Sequence, residues 1–529
     1  MLYFEGWQGG QKSNLAIVLR FAASLLLLLA CVACRNERNG FSLAEQRERQ
    51  YALNSQKLHE SLGQIVSADT DALIADRQLR EYYIEGNELI WTRNLLPTDR
   101  ADGVLRELRK VVGKAGFSER AFHLSQIQED LDSLRMVSVD SLQPSDIDRL
   151  ARLEYQLSKA YLRYTMGQSY GFMYNPEHYF NHLDIRDAAY GDNPATYREL
   201  MSQEIATPKG DFAKNALEKV LSDKGEDYIQ SCKPSSDLYN KLEQKLSETT
   251  DKAMRQKVMA NMERCRWKTS NNPNKDEKCV LVNIAAQQLW AVSRDTIFNM
   301  RVVCGAKKTK TPLMKGILSW IVVNPEWYVP ATIVRDEISP NAGDSAYFAR
   351  HHYFITDSNR DTISPEYVSR EDLHSNLYRV TQRRGPGNSL GRLKFNFRNP
   401  FDVYLHDTNT HGAFSYSNRA LSHGCVRVQR PFDLACFLLN LKDEEEKDRL
   451  RTAIGMTPKT EKEKMWLEEH AGDLDRQLNR FGNRSISPTV PVYLIYYTLY
   501  PNPADGVLQS WDDPYGYDAQ VLKAIKPFL

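Results

Sequence analysis

Apolar residues recur at i, i+1, i+4, i+7 and i+8 through Val104, Leu105, Leu108, Val111 and Val112, which places one stripe on one helix face. Thr98 or Asp102 offers an N-cap and Gly113 a stop. The same period returns in Ile147, Leu150, Leu153, Leu157, Tyr161 and Tyr164, behind Pro144-Ser145-Asp146 as a start signal. Stretches at 44–62, 72–84, 196–205 and 236–266 also read as helices, so residues 41–267 form an all-α domain. A polar, breaker-rich segment from Lys268 to Lys275 follows, and the period then changes. Val280–Ile284, Gln288–Val292, Ile297–Val303, Trp320–Val323, Lys394–Phe397, Val403–Leu405 and Val492–Tyr497 are short β-rich runs separated by polar breaks. The pattern therefore predicts an α+β multidomain chain, in which a mostly-β domain over 276–529 follows the helical one. Within it, the polar segment 331–400, with Gly385-Pro386-Gly387 as a hinge, reads as a lid. The charged stretch 441–486, opening on Asp443-Glu444-Glu445-Glu446, reads as a solvated helix pair on the surface.

Length agrees with this division, since 529 residues exceed what one hydrophobic core organises. Lys plus Arg (69) nearly cancels Asp plus Glu (68), and without a basic stripe a nucleic-acid partner is set aside. Lys12 and Arg20 precede an apolar run, Phe21 to Cys34, that has the length of a signal-peptide core and falls short of the ~20 residues of a membrane span. Residues 1–34 are thus expected to be a signal peptide that exports the chain to the periplasm or cell envelope. Cys31 or Cys34, each behind small residues, is the candidate lipid anchor, and this N-terminal anchor is the only membrane contact expected. Cys232, Cys265, Cys279, Cys304, Cys425 and Cys436 show neither C-x-x-C pairs nor zinc spacing, so no metal is expected. Cys265 and Cys279 are candidates for a disulfide in an oxidising compartment.

The chemistry concentrates in Tyr404-Leu405-His406-Asp407-Thr408 and Leu421-Ser422-His423-Gly424-Cys425-Val426-Arg427. A strand ends on His406, and a turn of small residues delivers Cys425. A thiol is only a few per cent ionised near neutral pH, so a cysteine nucleophile needs a base or a cationic neighbour, and His406 and His423 are both at hand. The Gly-Cys turn can aim main-chain N–H groups at an oxyanion. Taken singly, a cysteine is more often inert core and a strand histidine a packed imidazole; the full string is far less common by chance.

This string resembles the L,D-transpeptidase catalytic domain of YkuD type, whose signature is a histidine followed some 15 to 18 residues later by Ser/Thr-His-Gly-Cys. Asn324-Pro325-Glu326-Trp327, Arg384-Gly385-Pro386-Gly387-Asn388, Asn261-Met262-Glu263-Arg264 and Tyr515-Gly516-Tyr517-Asp518 are similar to landmarks of the large multidomain (YcbB-like) subgroup, which also carries a helical scaffold domain. The peptidoglycan-binding module common in that subgroup has no counterpart signature in 170–260. The resemblance implies Cys425 as nucleophile and His406 as base, with His423, Gly424 and Asp407 supporting them or framing the oxyanion, together with the Cys425 N–H. Arg427, Tyr404 and Trp327 would contact substrate, although for Arg427 a structural salt bridge and for Trp327 core packing are equal alternatives. It further implies release of D-alanine from a peptidoglycan stem tetrapeptide, a thioester on Cys425, and a 3→3 crosslink to a second stem. No cofactor is implied, and the partners expected are stem peptides and cell-wall synthases. An L,D-carboxypeptidase or crosslink-cleaving hydrolase would use the same groups, and a wall-binding scaffold without catalysis is the reading from another class.

Overall fold

The structure is a computed structural model that describes residues 42–183, 199–269, 273–375 and 377–529; the segment expected to be a signal peptide, with Cys31 and Cys34, lies outside the described residues. Helices fill the first half, and the stripes read from the sequence are its core. Val104, Leu105, Leu108 and Val112 are buried on the Asp99–Val112 helix, which starts from Thr98 as N-cap. The Pro144–Tyr170 helix buries nearly all sides because other helices surround it. The 236–266 stretch is two helices, Asp237–Glu248 and Lys252–Arg266; the side chain of Asp251 caps the second by accepting from Met254 N.

One expected helix is absent. In place of a helix over 196–205, Met201–Ser202 is a strand, and residues 196–198 lie outside the described residues. The Asn181 side chain accepts from Leu200 N (2.8 Å) and Met201 N (2.7 Å), and the strand pairs in parallel with Leu313 and Met314. Those N–H groups are therefore unavailable to a helical turn.

The second half is mostly β. Its eight main strands are β1 (Lys278–Asn283), β2 (Gln288–Ser293), β3 (Ile297–Gly305), β4 (Leu313–Val323), β5 (Leu393–Phe397), β6 (Leu405–His406), β7 (Val426–Val428) and β8 (Arg484–Ile495). They pair in the order β5-β6-β7-β3-β2-β1-β8-β4, and β4 pairs again with β5, so the sheet closes on itself. Alternation along each strand sends Leu393, Phe395, Phe397, Leu405, Val426 and Val428 into the closed interior and the intervening polar residues outward. The helical and β halves share one continuous core. Two of the landmark motifs staple them: Arg264 Nη1 donates to Asp518 Oδ1 (2.6 Å), and Asn261 Nδ2 donates to Thr498 Oγ1 (2.7 Å). Cys265 and Cys279 are free thiols rather than a disulfide, and they pack into different clusters, with Met262 and with Trp290 respectively.

The segment 331–400 is not one unit, because 393–397 is barrel strand β5. Residues 327–382 form a covering unit with a four-stranded antiparallel sheet and a separate core built on Ile338, Phe348, Ile355 and Val380. The stretch 441–486 also differs from a solvated helix pair. It holds three helices, Glu444–Ala453, Glu461–Glu469 and Leu474–Leu478, and residues 484–486 begin β8. Asp448 is fully buried there, paired with Arg451 and accepting from Lys459 N (2.8 Å) and Thr460 N (2.5 Å). This insert grips the neck of the covering unit: Asn324 Nδ2 donates to Ala453 O (2.9 Å) and Leu478 O (2.7 Å), and Arg384 pairs with Asp475.

Candidate active site

β6 and β7 run parallel, with Leu405 opposite Val426 and His406 opposite Arg427. One residue back, Tyr404 stands opposite Cys425, and Val426 N donates to Tyr404 O (3.1 Å). Side chains alternate along strands, so Tyr404, His406, Cys425 and Arg427 share the outward face of the barrel. On the other flank, antiparallel β5 sets Lys394 opposite His406 on that same face. The site is thus a patch of polar groups on a wall whose other side is apolar core.

His406 is 5% exposed. Burial, and then the neighbouring Arg427 cation, push its pKa down to about 3, so the ring is neutral at physiological pH. Its Nδ1 has no hydrogen-bond partner among the described residues. A neutral imidazole with an uncommitted ring nitrogen is a proton acceptor. The Tyr404 ring meets the His406 ring edge-on at 5.6 Å between centroids. Burial, followed by the Cys425 charge, raises the pKa of its hydroxyl. Trp327 packs on the core of the covering unit, the packing role that the sequence allowed for it. The Cys425 thiol faces the main-chain carbonyl of Asp402 at 3.9 Å.

The turn before Cys425 is wired internally. Ser422 Oγ donates to Cys425 O (2.6 Å) and accepts from Gly424 N (3.1 Å). Gly424 sits at φ +122°, a conformation that a side chain rarely adopts. Its N–H is committed to Ser422, which removes it as an oxyanion donor. Thr311 Oγ1 donates to Gly424 O (2.8 Å), and Tyr515 Oη donates to Gly305 O (2.6 Å) and accepts from Thr311 N (3.0 Å). The C-terminal Tyr515 motif thereby braces the cysteine turn at one remove.

Asp407 is directed elsewhere: Oδ2 accepts from Arg392 N (2.8 Å), and a Cβ at Gly391 (φ +63°) would fall 2.4 Å from the carboxyl carbon. The carboxylate fills the space that a glycine leaves, and it supports the turn into β5 rather than an oxyanion. His423 is half exposed, and its Nε2 pairs with Glu337 of the covering unit at 2.6 Å. Arg427 has no acidic partner within ion-pair distance among the described residues, and its Nε is unpaired, so it is not the salt bridge that sequence allowed. Burial lowers its pKa.

Three residues at the site had escaped the sequence reading: Lys394, Glu337 and Thr311. Lys394 is the polar position of an alternating Leu-Lys-Phe-Asn-Phe strand, which signals its face but not its neighbours. Among the described residues, no group of three or more His, Cys, Asp or Glu side chains is arranged to hold a metal ion.

Two family models match the chain: the L,D-transpeptidase catalytic domain over residues 277–447 and the scaffold domain over residues 77–246. A Haemophilus influenzae protein named provisionally as an L,D-transpeptidase is 29% identical over 321 residues. That match spans 59% of this chain and 59% of the relative. A solved L,D-transpeptidase from Mycobacterium smegmatis shares 13% identity over 30% of this chain and 53% of its own, with a TM-score of 0.18.

Proposed function

From the premise that the chain joins an L,D-transpeptidase catalytic domain to a scaffold domain, we propose that it forms 3→3 crosslinks between peptidoglycan stem peptides, with Cys425 as nucleophile and His406 as base. The observation that carries the reading is the placement of Cys425, Tyr404, His406 and Arg427 on one outward face by the register of β6 and β7. The sulfur attacks the carbonyl carbon of the third residue of a stem tetrapeptide while His406 takes the thiol proton. The bond to the terminal D-alanine breaks, its nitrogen receives that proton from His406, and a thioester remains. The side-chain amine of a second stem then attacks the thioester, its proton passes through His406 to the departing sulfur, and the crosslink is made.

His406 serves better than His423 as the base, because His423 is exposed and occupied by Glu337. With Gly424 N–H committed, the oxyanion role falls to the Cys425 N–H. Arg427, a half-buried cation without an acidic partner, suits a carboxylate of the stem. A substrate in the wall requires export, and the apolar run Phe21–Cys34 supports an exported, envelope-located enzyme, tethered if Cys31 or Cys34 is lipidated. Cell-wall synthases are the partners this reading calls for.

The test incubates the purified chain with a disaccharide-tetrapeptide beside a Cys425→Ala control and analyses the products by mass spectrometry. A dimer lighter by one D-alanine, absent from the control, is the expected result. Tripeptide monomer alone would move the assignment to an L,D-carboxypeptidase, and no Cys425-dependent product would leave a wall-binding scaffold.

A further inference from the structure

The acyl-transfer scheme leaves one member of the catalytic face without a task. Lys394 stands opposite His406 across β5 and β6, and its ammonium nitrogen lies 3.9 Å from the centroid of the Tyr404 ring. Tyr404 itself stands opposite Cys425 where β6 and β7 run side by side. Lys394 is half-buried, and no carboxylate reaches it within ion-pair distance among the described residues. The anionic groups it feels are the Cys425 sulfur and, after it, Asp402. A desolvated cation without a counter-ion is unfavourable, and the π-face of Tyr404 offsets only part of that cost. An ammonium held there is therefore favoured whenever the sulfur beside it becomes negative. The neighbouring base makes this useful: an imidazole held neutral as firmly as His406 is a weak acceptor for a thiol proton unless the sulfur anion is stabilised by something else.

We propose that Lys394, seated on the Tyr404 ring, supplies the positive charge that stabilises the Cys425 sulfur anion. The inference rests on Cys425 being the acyl-transfer nucleophile. When the free thiol ionises in the absence of substrate its proton passes to water; in the acyl-transfer step the thiol ionises as it attacks and its proton passes to His406 and then to the departing amine, so in either case Lys394 keeps its own proton and no co-reactant is consumed. The other groups around the sulfur act in known directions. Arg427, two residues along β7, adds charge of the same sign, whereas Asp402 opposes it. Tyr404 stands opposite Cys425, His406 is neutral before attack, and His423 is held by Glu337. Lys394 acts through the sulfur and is a positioning residue.

The test measures the rate of iodoacetamide alkylation at Cys425 against pH, reading the modified peptide by mass spectrometry so that the other cysteines do not interfere. A cation within about 4–6 Å of a thiol lowers its pKa by about one unit or more, so Lys394→Met should raise the midpoint by that amount and slow alkylation at pH 7 about tenfold. Lys394→Arg should keep the wild-type midpoint. Buried Cys304 and Cys279 must stay unlabelled, which certifies the fold; if Lys394→Met fails that check, Lys394→Gln takes its place. Coincident midpoints in a folded Lys394→Met or Lys394→Gln variant would overturn the proposal. Alkylation needs no stem peptide, so coincident midpoints with crosslinking intact would sink only this inference. A shifted midpoint without any crosslinking would sink only the proposed function.

Discussion

Replacing Ser422 with alanine should loosen the nucleophile turn without unfolding the barrel. The Ser422 residue is 3% exposed, and its hydroxyl serves both Cys425 O (2.6 Å) and Gly424 N (3.1 Å). Alanine removes both bonds and strands a buried donor and a buried acceptor, each at about 1–3 kcal/mol. The two penalties overlap once the turn relaxes, so the expected cost is roughly 2–4 kcal/mol, or about 30- to 700-fold in local opening. The flanking pairings do not depend on this hydroxyl: Leu405 stays opposite Val426 and Ala420 opposite Cys304. The cost should therefore appear as amide hydrogen exchange at least about 30-fold faster and confined to 423–426, together with a lower kcat/KM on a stem tetrapeptide. Unchanged exchange at those amides with kcat/KM within twofold of wild type would refute the reasoning, because the wiring of the turn would then be incidental.

Other expectations follow from the same geometry. His406 titrates near 3 when folded and near ~6.5 when unfolded, so the unfolded chain binds the extra proton in between and stability is lost as pH falls from ~6.5 toward 3. Denaturant titration at pH 7 and pH 5 should show wild type losing about 2 kcal/mol more than His406→Gln over that interval; equal losses would contradict a buried neutral ring. Burial alone would raise the Asp69 pKa, but the bonds from Lys159 and Tyr155 outweigh it and settle it at about 2, so this stabilisation is present above ~4 and is lost as pH falls toward 2. Lys159→Met should accordingly cost about 3 kcal/mol at pH 7 and progressively less as pH falls through about 2, where the folded carboxyl protonates as well; a pH-independent cost would assign the effect to packing. Glu337 and His423 are both half exposed, so Glu337→Gln should raise proteolysis of the covering unit by less than about fivefold; a change of 50-fold would mean that this pair is the main closure.

The helix stripes and the strand alternation were legible because each is a property of one segment. Val104 to Val112 and Leu393 to Phe397 announce their buried faces without reference to anything else. The pairing of His406 with Cys425 on one face was legible in part, since a strand and a small-residue turn nearby in sequence constrain each other. What the pattern could not give is the choice of partners across long separations. β8 closes the ring by pairing with both β1 and β4, and Met201–Ser202 leaves the helical half to extend the sheet beside β4. Lys394 escaped notice for the same reason, as its meaning depends on standing opposite His406 in a strand 12 residues away. The insert at 444–478 read as a surface feature because its charges are many, yet Asp448 and Arg451 satisfy one another in the interior.

β4 and β5 are antiparallel neighbours, with Val323 opposite Leu393, and Asn324 N donates to Arg392 O (2.8 Å) directly above that pair. In topological terms, everything between those residues is one oversized hairpin loop whose ends already touch. Such a loop can be lengthened, shortened or exchanged at little entropic penalty to the barrel, since its closure is set by strands that would pair regardless of what it contains. Evolution and protein engineering alike can therefore treat residues 325–391 as a cassette. A graft that keeps Asn324, Gly391 and Arg392 would change what covers the thiol while preserving the strand register of the wall beneath.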